Sequence, residues 1–181
     1  MDEQPWTKFK STIYSWLWRN PRSNRVVVDV AALSPADHTL DIGCGPGAAV
    51  RHAAATVERA VGVDRSPDMV DIAKRRSSAV PKAEFQIGQA EDLPFETGTF
   101  TVVWSAHSYH HWEDKEAGLI EAKRVVQPGG RLLIVETKSS GEHGLSLDGA
   151  LELSKRLEAL GLVDSSVELH HSNYVVSGTV A

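Results

Sequence analysis

Three glycines at alternate positions mark the stretch of this sequence that is best suited to bind a ligand. Residues 39–47 read TLDIGCGPG, so a short apolar run leads into Gly43, Gly45 and Gly47. Glycine adopts positive φ angles without a steric penalty and lets a ligand approach the backbone closely. Residues 48–57 are alanine-rich with apolar residues at helical spacing. The pattern predicts a buried strand, a tight loop and a helix whose free amide groups point at the bound molecule.

Two carboxylates near this loop bear on which ligand it binds. Gly43, Gly45 and Ala48 also satisfy the dinucleotide-binding pattern G-x-G-x-x-A. Asp64 follows at the distance of about 20 positions where such folds place a ribose-binding acid. Asp41, however, precedes the first glycine by two positions, where it would repel a pyrophosphate and attract a ligand that carries an ammonium and a sulfonium group. The loop is therefore better suited to S-adenosylmethionine than to NAD.

At these residues the sequence resembles the class I, seven-stranded S-adenosylmethionine-dependent methyltransferases, in particular the small-molecule branch that includes the ubiquinone and menaquinone biosynthesis enzymes. The resemblance covers nearly the whole chain from about residue 26. It implies an α/β, Rossmann-like fold with a doubly wound, mostly parallel seven-stranded sheet and a C-terminal antiparallel hairpin. The cofactor-binding residues that we expect come from the glycine loop and from the ends of the later strands: Asp41, Gly43, Cys44, Gly45, Asp64, Arg65, Gln89, Ala90, Glu91 and Ser105.

The loop at 88–95, GQAEDLPF, corresponds to the segment that holds the adenine in the resembled family. In that family an acid or amide accepts a hydrogen bond from the exocyclic amine, and a backbone amide donates to the ring. Glu91, Gln89 and the Ala90 amide are the matching candidates. Gln89 stands where the family often has aspartate, so either side chain is a candidate for the adenine contact.

The predicted strand at 100–105 ends in a segment that is rich in groups able to act on an acceptor. Residues 105–112 read SAHSYHHW, and ligands of doubly wound sheets bind beyond the carboxyl ends of the strands. Methyl transfer from a sulfonium needs alignment and exclusion of water, and a base only if the acceptor must lose a proton. His107, His110 and His111 are the candidate catalytic bases, and Tyr109 could orient an acceptor. Capping or packing is the alternative role for each histidine.

Charge and composition argue against several other classes of protein. The 181 residues are enough for one domain, and a formal charge of −5 argues against a dedicated nucleic-acid binder. No apolar run has membrane-spanning length and no signal-like segment is visible, so we expect a cytoplasmic protein without stable membrane insertion. Cys44 is the single cysteine, which excludes an internal disulfide, and no metal site is predicted.

The acceptor that remains is a small, rather apolar metabolite. The strand at 100–105 does not end in the (N/D/S)PP(Y/F) pattern of enzymes that methylate exocyclic amines of DNA bases. The sequence also lacks the Pro-Cys nucleophile of carbon-5 cytosine methylation, because its cysteine lies inside the glycine loop. Tryptophans are available to line an acceptor pocket, although some of them must serve ordinary packing: Trp6, Trp16, Trp18, Trp104 and Trp112.

Residues 6–18 have one apolar helical face, and three interpretations of this segment stay open. It packs on the domain, covers the substrate pocket as a lid, or touches a membrane or lipid with its basic aromatic surface. We therefore expect residues 1–25 to be a helical lid or packing segment and residues 26–181 to be the methyltransferase domain. Residues 26–33 are expected to be a helix from the family resemblance, although their composition also suits a strand.

The rest of the chain predicts five alternating strand and helix units. Residues 163–169 and 174–180, separated by HHSN, predict a closing antiparallel hairpin. Further strands are expected before the glycine loop and at 59–63, 83–87, 100–105 and 131–136, and helices at 48–57, 66–76, 115–126 and 145–160.

Two other functions remain open at this level. An NAD-dependent oxidoreductase could use the same glycine pattern, but none of the three tyrosines is followed four positions later by the lysine that a short-chain dehydrogenase would offer. A protein that binds S-adenosylmethionine without transferring its methyl group is the other alternative, because a cofactor site does not prove an acceptor pocket.

Overall fold

A seven-stranded sheet with helices on both faces forms the body of the protein in the computed structural model, which describes residues 23–141 and 143–181. The helices are α1 (Ser23–Val30), α2 (Ala48–Ala53), α3 (Pro67–Arg76), α4 (Lys115–Val125) and α5 (Leu147–Ala159). The strands are β1 (His38–Ile42), β2 (Arg59–Asp64), β3 (Ala83–Ile87), β4 (Phe100–Ala106), β5 (Val126–Thr137), β6 (Leu162–His170) and β7 (Asn173–Val180), and a 3-10 turn, Tyr109–His111, follows β4.

The strand order is β3-β2-β1-β4-β5-β7-β6. β1 to β5 run parallel to one another, while β7 is antiparallel to both β5 and β6. The order reverses between β1 and β4, so the carboxyl ends of these two strands frame the crevice where doubly wound sheets bind ligands. The predicted fold class, including the closing hairpin, is confirmed.

Each face of the sheet has its own apolar cluster. Val27 of α1, Val50 of α2 and Val70 of α3 belong to the cluster on one face. Leu119 of α4 and Leu157 of α5 belong to the cluster on the other face. Burial of each such side chain stabilises the fold by roughly 1.5–3 kcal/mol, and a sheet covered on both faces explains why its central strands are almost continuously apolar.

Side-chain caps determine where three helices begin. Ser66 Oγ accepts a hydrogen bond from the Met69 N–H at 3.4 Å and Pro67 occupies the first turn, so α3 begins where the sequence predicts. Asp114 and Ser146 cap α4 and α5 in the same way. These caps satisfy amide groups that a helix cannot satisfy internally.

Two boundaries differ from expectation. α2 ends at Ala53, earlier than expected, because the amides of Ala55 and Thr56 bond to carbonyls three residues back and tighten the chain into a turn. β5 begins before the Pro-Gly-Gly turn, and its register against β4 shifts between Phe100 and Val102. Residues 88–99 join β3 to β4 without a helix, in agreement with the loop expected at 88–95.

The predicted segment 1–25 lies outside the described residues except for its last three positions, which belong to α1. Its role as a lid or packing segment therefore stays a prediction. The helix expected at 26–33 is confirmed as far as Val30. Among the helices of the described residues, none has the length and hydropathy needed to cross a membrane.

Candidate active site

The loop after β1 has the backbone conformation that its glycines predict. The φ angle is +77° at Gly43, +48° at Gly45 and +74° at Gly47. These angles lie in the left-handed region, which L-residues other than glycine adopt at a cost. At Gly43 a side chain would also collide with Ser108, which follows β4. The glycine loop is therefore in direct contact with the histidine-rich segment.

Asp41 is buried beside the glycine loop, with 3% of its surface exposed. Its Oδ1 atom has no hydrogen-bond partner within the part of the chain that the structure describes. Burial, reinforced by repulsion from Asp64, raises the pKa of Asp41 to about 8, and the Trp104 indole acts in the opposite direction. From its residue type Asp41 is expected to be ionised, whereas its burial in the folded protein favours the protonated form at neutral pH. A cation placed against the unpartnered oxygen would favour its ionisation.

Asp64 ends β2 and reaches back to the glycine loop. Its Oδ2 atom accepts the Gly45 N–H at 2.8 Å, and its Oδ1 atom accepts the Ser66 N–H at 2.9 Å. Burial raises the pKa of Asp64, and these two hydrogen bonds oppose that rise. A carboxylate oxygen accepts more than one hydrogen bond, so the group can still bind the hydroxyls of a ribose. Arg65 is exposed and forms an ion pair with Glu113 at 2.8 Å.

The predicted adenine loop is fastened to α4. Arg124 donates hydrogen bonds to the carbonyl oxygens of Phe95 at 2.8 Å and Leu93 at 3.1 Å. Glu121 accepts the Leu93 N–H at 3.0 Å and pairs with Arg124 at 2.6 Å. These contacts fix the backbone of the loop and explain why it needs no helix of its own.

The three adenine candidates have different surroundings. Glu91 accepts the backbone N–H groups of Glu113 at 2.9 Å and Asp114 at 3.2 Å through one carboxylate oxygen, Oε1. The Gln89 side chain is exposed, while Ala90 is buried. Glu91 therefore holds the segment before α4 in addition to any role at the adenine.

A pair of serines ties the end of β4 to the glycine loop. The Ser105 and Ser108 Oγ atoms lie 2.8 Å apart, and Ser108 Oγ donates to the Ile42 carbonyl at 2.7 Å. Both serines are buried. Burial also raises the pKa of the Cys44 thiol well above its ordinary value, so this residue packs within the loop and is not an activated nucleophile.

The three candidate histidines occupy different environments. His107 is buried at a φ of +56° with Nδ1 3.2 Å from the Thr137 Oγ1 atom. His110 Nδ1 lies 2.9 Å from Oε2 of Glu136. His111 is exposed, with its ring centroid 3.9 Å from that of His110. A residue other than glycine at positive φ is uncommon and is enriched at functional positions, which supports a role for His107.

Glu136 and His143 lie beside His110 in the folded protein, although their residue types alone did not mark them as candidates. Glu136 is 1% exposed at the end of β5, a segment interpreted as scaffold. The His143 ring lies 5.7 Å from that of His110 and 6.1 Å from that of His111. The signal for Glu136 was a carboxylate at the end of an otherwise apolar strand. In the described ranges, no group of three or more histidine, cysteine and acidic side chains is arranged to hold a metal ion.

Tyr109 and Trp112 form an apolar wall next to these histidines. Their rings pack edge to face with centroids 5.1 Å apart, and both residues are buried. Burial, with the nearby charges of Glu136 and Glu152, raises the pKa of Tyr109 to about 12, so its hydroxyl stays neutral and can donate a hydrogen bond. Trp104 is fully buried in the apolar cluster that faces α1 to α3. The other tryptophans considered for the pocket lie outside the described residues: Trp6, Trp16 and Trp18.

A glycine loop at the switch point, with an acid beside it and a second acid ending the next strand, defines a class I cofactor site of the methyltransferase type. The chain belongs to the methyltransferase domain family, whose model matches residues 40–134. This range contains the glycine loop, both acids and the histidine-rich segment. The predicted class of protein is confirmed, and S-adenosylmethionine is its cofactor. The unpartnered oxygen of Asp41 and the position of the Asp64 carboxylate against the glycine loop fit that molecule.

Two curated relatives and one solved structure illustrate the likeness. The chain is 39% identical over 115 residues to a chloroplastic tocopherol O-methyltransferase from Arabidopsis thaliana, a match that covers 59% of this chain and 33% of the relative. It is 36% identical over 108 residues to a demethylmenaquinone methyltransferase from Symbiobacterium thermophilum, covering 56% of this chain and 43% of the relative. The chain thus spans less than half the length of either relative.

The fold is similar to that of an S-adenosylmethionine-dependent methyltransferase from Aquifex aeolicus. The TM-score is 0.80 at 20% sequence identity, and the match covers 94% of this chain and 98% of that chain. At this level of identity the likeness concerns the fold alone.

Proposed function

We propose that this protein transfers the methyl group of S-adenosylmethionine to a small, rather apolar acceptor. The observation that carries the proposal is the contact between the glycine loop and the histidine-rich segment. Gly43 has no room for a side chain because Ser108 lies against it, and Ser108 bonds to the carbonyl of Ile42 at 2.7 Å. A donor that binds the loop and an acceptor that binds at the histidines would therefore be neighbours, as in-line transfer requires.

Five of the predicted cofactor-binding residues have specific roles in this proposal. Asp41 faces the ammonium or sulfonium end of the donor, because its free oxygen is buried next to the loop. Asp64 binds the ribose. The adenine end lies along the loop fastened to α4, where the candidate contacts are Gln89, Ala90 and Glu91.

The acceptor class rests on the surface around the histidines and on the relatives. Tyr109 and Trp112, which flank His110 and His111 in sequence, pack edge to face and make this segment apolar. The two relatives described above are named for tocopherol and demethylmenaquinone, both apolar metabolites. A formal charge of −5 also argues against a polyanionic acceptor such as nucleic acid.

Binding and transfer are tested separately. In calorimetry the purified protein is titrated with S-adenosylmethionine, S-adenosylhomocysteine and NAD, and we expect binding of the first two. Methyl-labelled S-adenosylmethionine is then incubated with the protein and a panel of small metabolites, and we expect labelled product from an apolar acceptor. Capture of NAD alone would overturn the proposal, and binding without transfer to any acceptor would show a cofactor-binding protein that is not an enzyme.

A further inference from the structure

His110 and Glu136 form a buried pair at the carboxyl ends of β4 and β5. The distance between His110 Nδ1 and Glu136 Oε2 is 2.9 Å, and their side chains are 7% and 1% exposed. The second oxygen, Oε1, accepts the backbone N–H of His110 at 3.3 Å. Both carboxylate oxygens therefore contact the same residue, which fixes the position of the imidazole ring as well as its partner.

This contact determines which ring nitrogen can accept a proton. A carboxylate oxygen accepts hydrogen bonds, so the proton of a neutral His110 ring lies on Nδ1. The lone pair is then on Nε2. That atom is buried and has no hydrogen-bond partner among the described residues. Leaving a buried polar atom unpaired costs roughly 1–3 kcal/mol, a cost that is removed when a ligand donates a hydrogen bond to it.

The His110–Glu136 pair follows closely on the segment that contacts the glycine loop, where the methyl donor is expected to bind. His110 lies two residues after Ser108, whose side chain contacts the glycine loop. His111 and His143 lie close to the His110 ring, at 3.9 and 5.7 Å between centroids. His107 contacts the hydroxyl of Thr137, a neutral group that offers less stabilisation to an imidazolium than a carboxylate does.

We propose that Glu136 is a positioning residue that makes His110 Nε2 the general base for a phenolic or enolic hydroxyl acceptor. This inference rests on the proposed methyl transfer and adds to it the class of acceptor. In the reaction the hydroxyl gives its proton to Nε2, and its oxygen forms a bond to the methyl carbon. The bond from that carbon to sulfur breaks, and its electron pair stays on sulfur. The proton on Nε2 leaves to solvent after product release, so charge and atoms balance.

The acceptor class follows from the match between base and acid. Imidazole is a base suited to neutral pH, and general-base transfer is efficient for a hydroxyl whose acidity is not far from it. Phenols have a pKa of about 10, which is much closer to the pKa of imidazole than that of an aliphatic alcohol is. A neutral amine already carries the lone pair that attacks, so it needs no base before transfer. A buried carboxylate–imidazole pair beside Tyr109 and Trp112 therefore suits an aromatic or enolic hydroxyl.

The first test measures the tautomer and needs no acceptor. Long-range proton–nitrogen spectra of the protein bound to S-adenosylhomocysteine are recorded where the histidines are neutral, and the His110 signals are assigned with His110→Gln. We expect the wild type to carry the proton on Nδ1. In Glu136→Gln the amide oxygen would accept the backbone N–H in place of Oε1, so the amide nitrogen would face Nδ1 and move the ring proton to Nε2. A wild-type proton on Nε2, or no change in the variant, would overturn the proposal.

The second test measures turnover with labelled S-adenosylmethionine, using 1-naphthol and a set of other phenols and enols as acceptors. The amine of the same shape, such as 1-naphthylamine, accompanies each one. We expect Glu136→Gln and His110→Gln to lower kcat by about 100-fold for the hydroxyl acceptors. KM and cofactor affinity should stay within about two-fold, and Glu136→Asp should recover part of the rate.

Surface variants serve as matched controls for these substitutions. Glu168→Gln on β6 and His170→Gln at the hairpin make the same chemical changes away from the site, and both should leave the rate unchanged. Thermal unfolding of every variant identifies any that fail to fold. Transfer to the amines alone, to no hydroxyl acceptor at all, or at an undiminished rate in Glu136→Gln would contradict the inference while leaving cofactor binding intact. Loss of cofactor binding in the wild type would instead refute the proposed function itself.

Discussion

The proposed cofactor half of the site and the proposed acceptor half are assembled in different ways. Around β1 and β2 the site is made from backbone shape and strand ends, with positive φ angles at Gly43 and Gly45 and carboxylates at Asp41 and Asp64. Around β4 and β5 it is made from side chains that meet across the sheet, since Glu136 lies 26 residues after its partner. A site of the first kind is encoded in one short stretch, whereas a site of the second kind depends on register and turn geometry.

The largest effect is expected from a substitution at Gly43, where the two halves are in contact. Gly43→Ala and Gly129→Ala start from the same φ of +77°, but Gly43 faces Ser108 and Gly129 has open space around it. The shared backbone strain should lower the free energy of unfolding by about 1 kcal/mol in each variant. Gly43→Ala should lose roughly 1–3 kcal/mol more through overpacking, together with cofactor affinity. Urea denaturation measures the free energy of unfolding and calorimetry measures the cofactor affinity. Equal losses in the two variants would show that the Gly43–Ser108 contact contributes nothing to either quantity.

Within the cofactor half, Asp64→Ala should weaken S-adenosylmethionine binding by about 1–3 kcal/mol. The reason is that charge-assisted hydrogen bonds to the ribose and to the Gly45 amide are lost together. Asp68→Ala, an exposed acid in the first turn of α3, is the matched control. Calorimetry measures the affinity of both variants for S-adenosylmethionine, and equal affinities for wild type and Asp64→Ala would place the ribose elsewhere.

Asp41 gives the cofactor half a pH dependence of known sign. Its pKa is about 8 in the folded protein against an ordinary value of 3.8, so between these limits the folded state holds a proton that the unfolded chain has released. Stability should therefore fall as pH rises through this window, by about 1.4 kcal/mol per pH unit at most, and stay level above it. Asp41→Asn should remove this slope in urea denaturation series at several pH values. A wild-type slope that persists in the variant would assign it to another group.

Binding of the donor should reverse this effect on Asp41. A cation beside the carboxyl group favours its ionised form, so binding should release a proton and strengthen as pH rises toward 8. Calorimetry in two buffers with different ionisation enthalpies measures the protons released. Identical heats in both buffers would contradict the coupling.

The smallest effect on cofactor binding is expected at Arg124 of α4, which contacts the backbone of the predicted adenine loop. Arg124→Ala removes two hydrogen bonds to loop carbonyls and should weaken cofactor binding by roughly 1 kcal/mol. Arg156→Ala breaks a more exposed ion pair to Glu116 and serves as the control. The two variants are compared by calorimetry, and an effect confined to the acceptor KM would show that the loop does not serve the cofactor.

The sequence was most informative where periodicity and glycine spacing carry the signal. The strand and helix pattern predicts the seven-stranded sheet, and Ser66 and Pro67 place the start of α3 correctly. The bonds that hold the loop at 88–99 could not be predicted, because they come from Arg124 and Glu121, which are distant in sequence. In the same way, no local pattern links His110 to Glu136, and their contact follows from how β4 and β5 pair and how the chain turns after β4.

Electrostatic state was the other property that residue types did not determine. The sequence indicates an acid at Asp41 but not that burial would keep it protonated, since the pKa depends on how completely the sheet and loop exclude water. The surroundings of Cys44 are a parallel case, because only the fold shows that its thiol is shielded.

α4 holds the predicted adenine loop through Arg124, and the backbone N–H of Glu113, just before α4, donates to Glu91 in that loop. The proposed donor and acceptor halves of the site are therefore supported by the same helix. Engineering of acceptor preference through residues 107–114 will thus change how firmly the donor is held. Libraries built in that segment should be screened at saturating donor, so that variants with improved selectivity are not discarded for weaker donor retention.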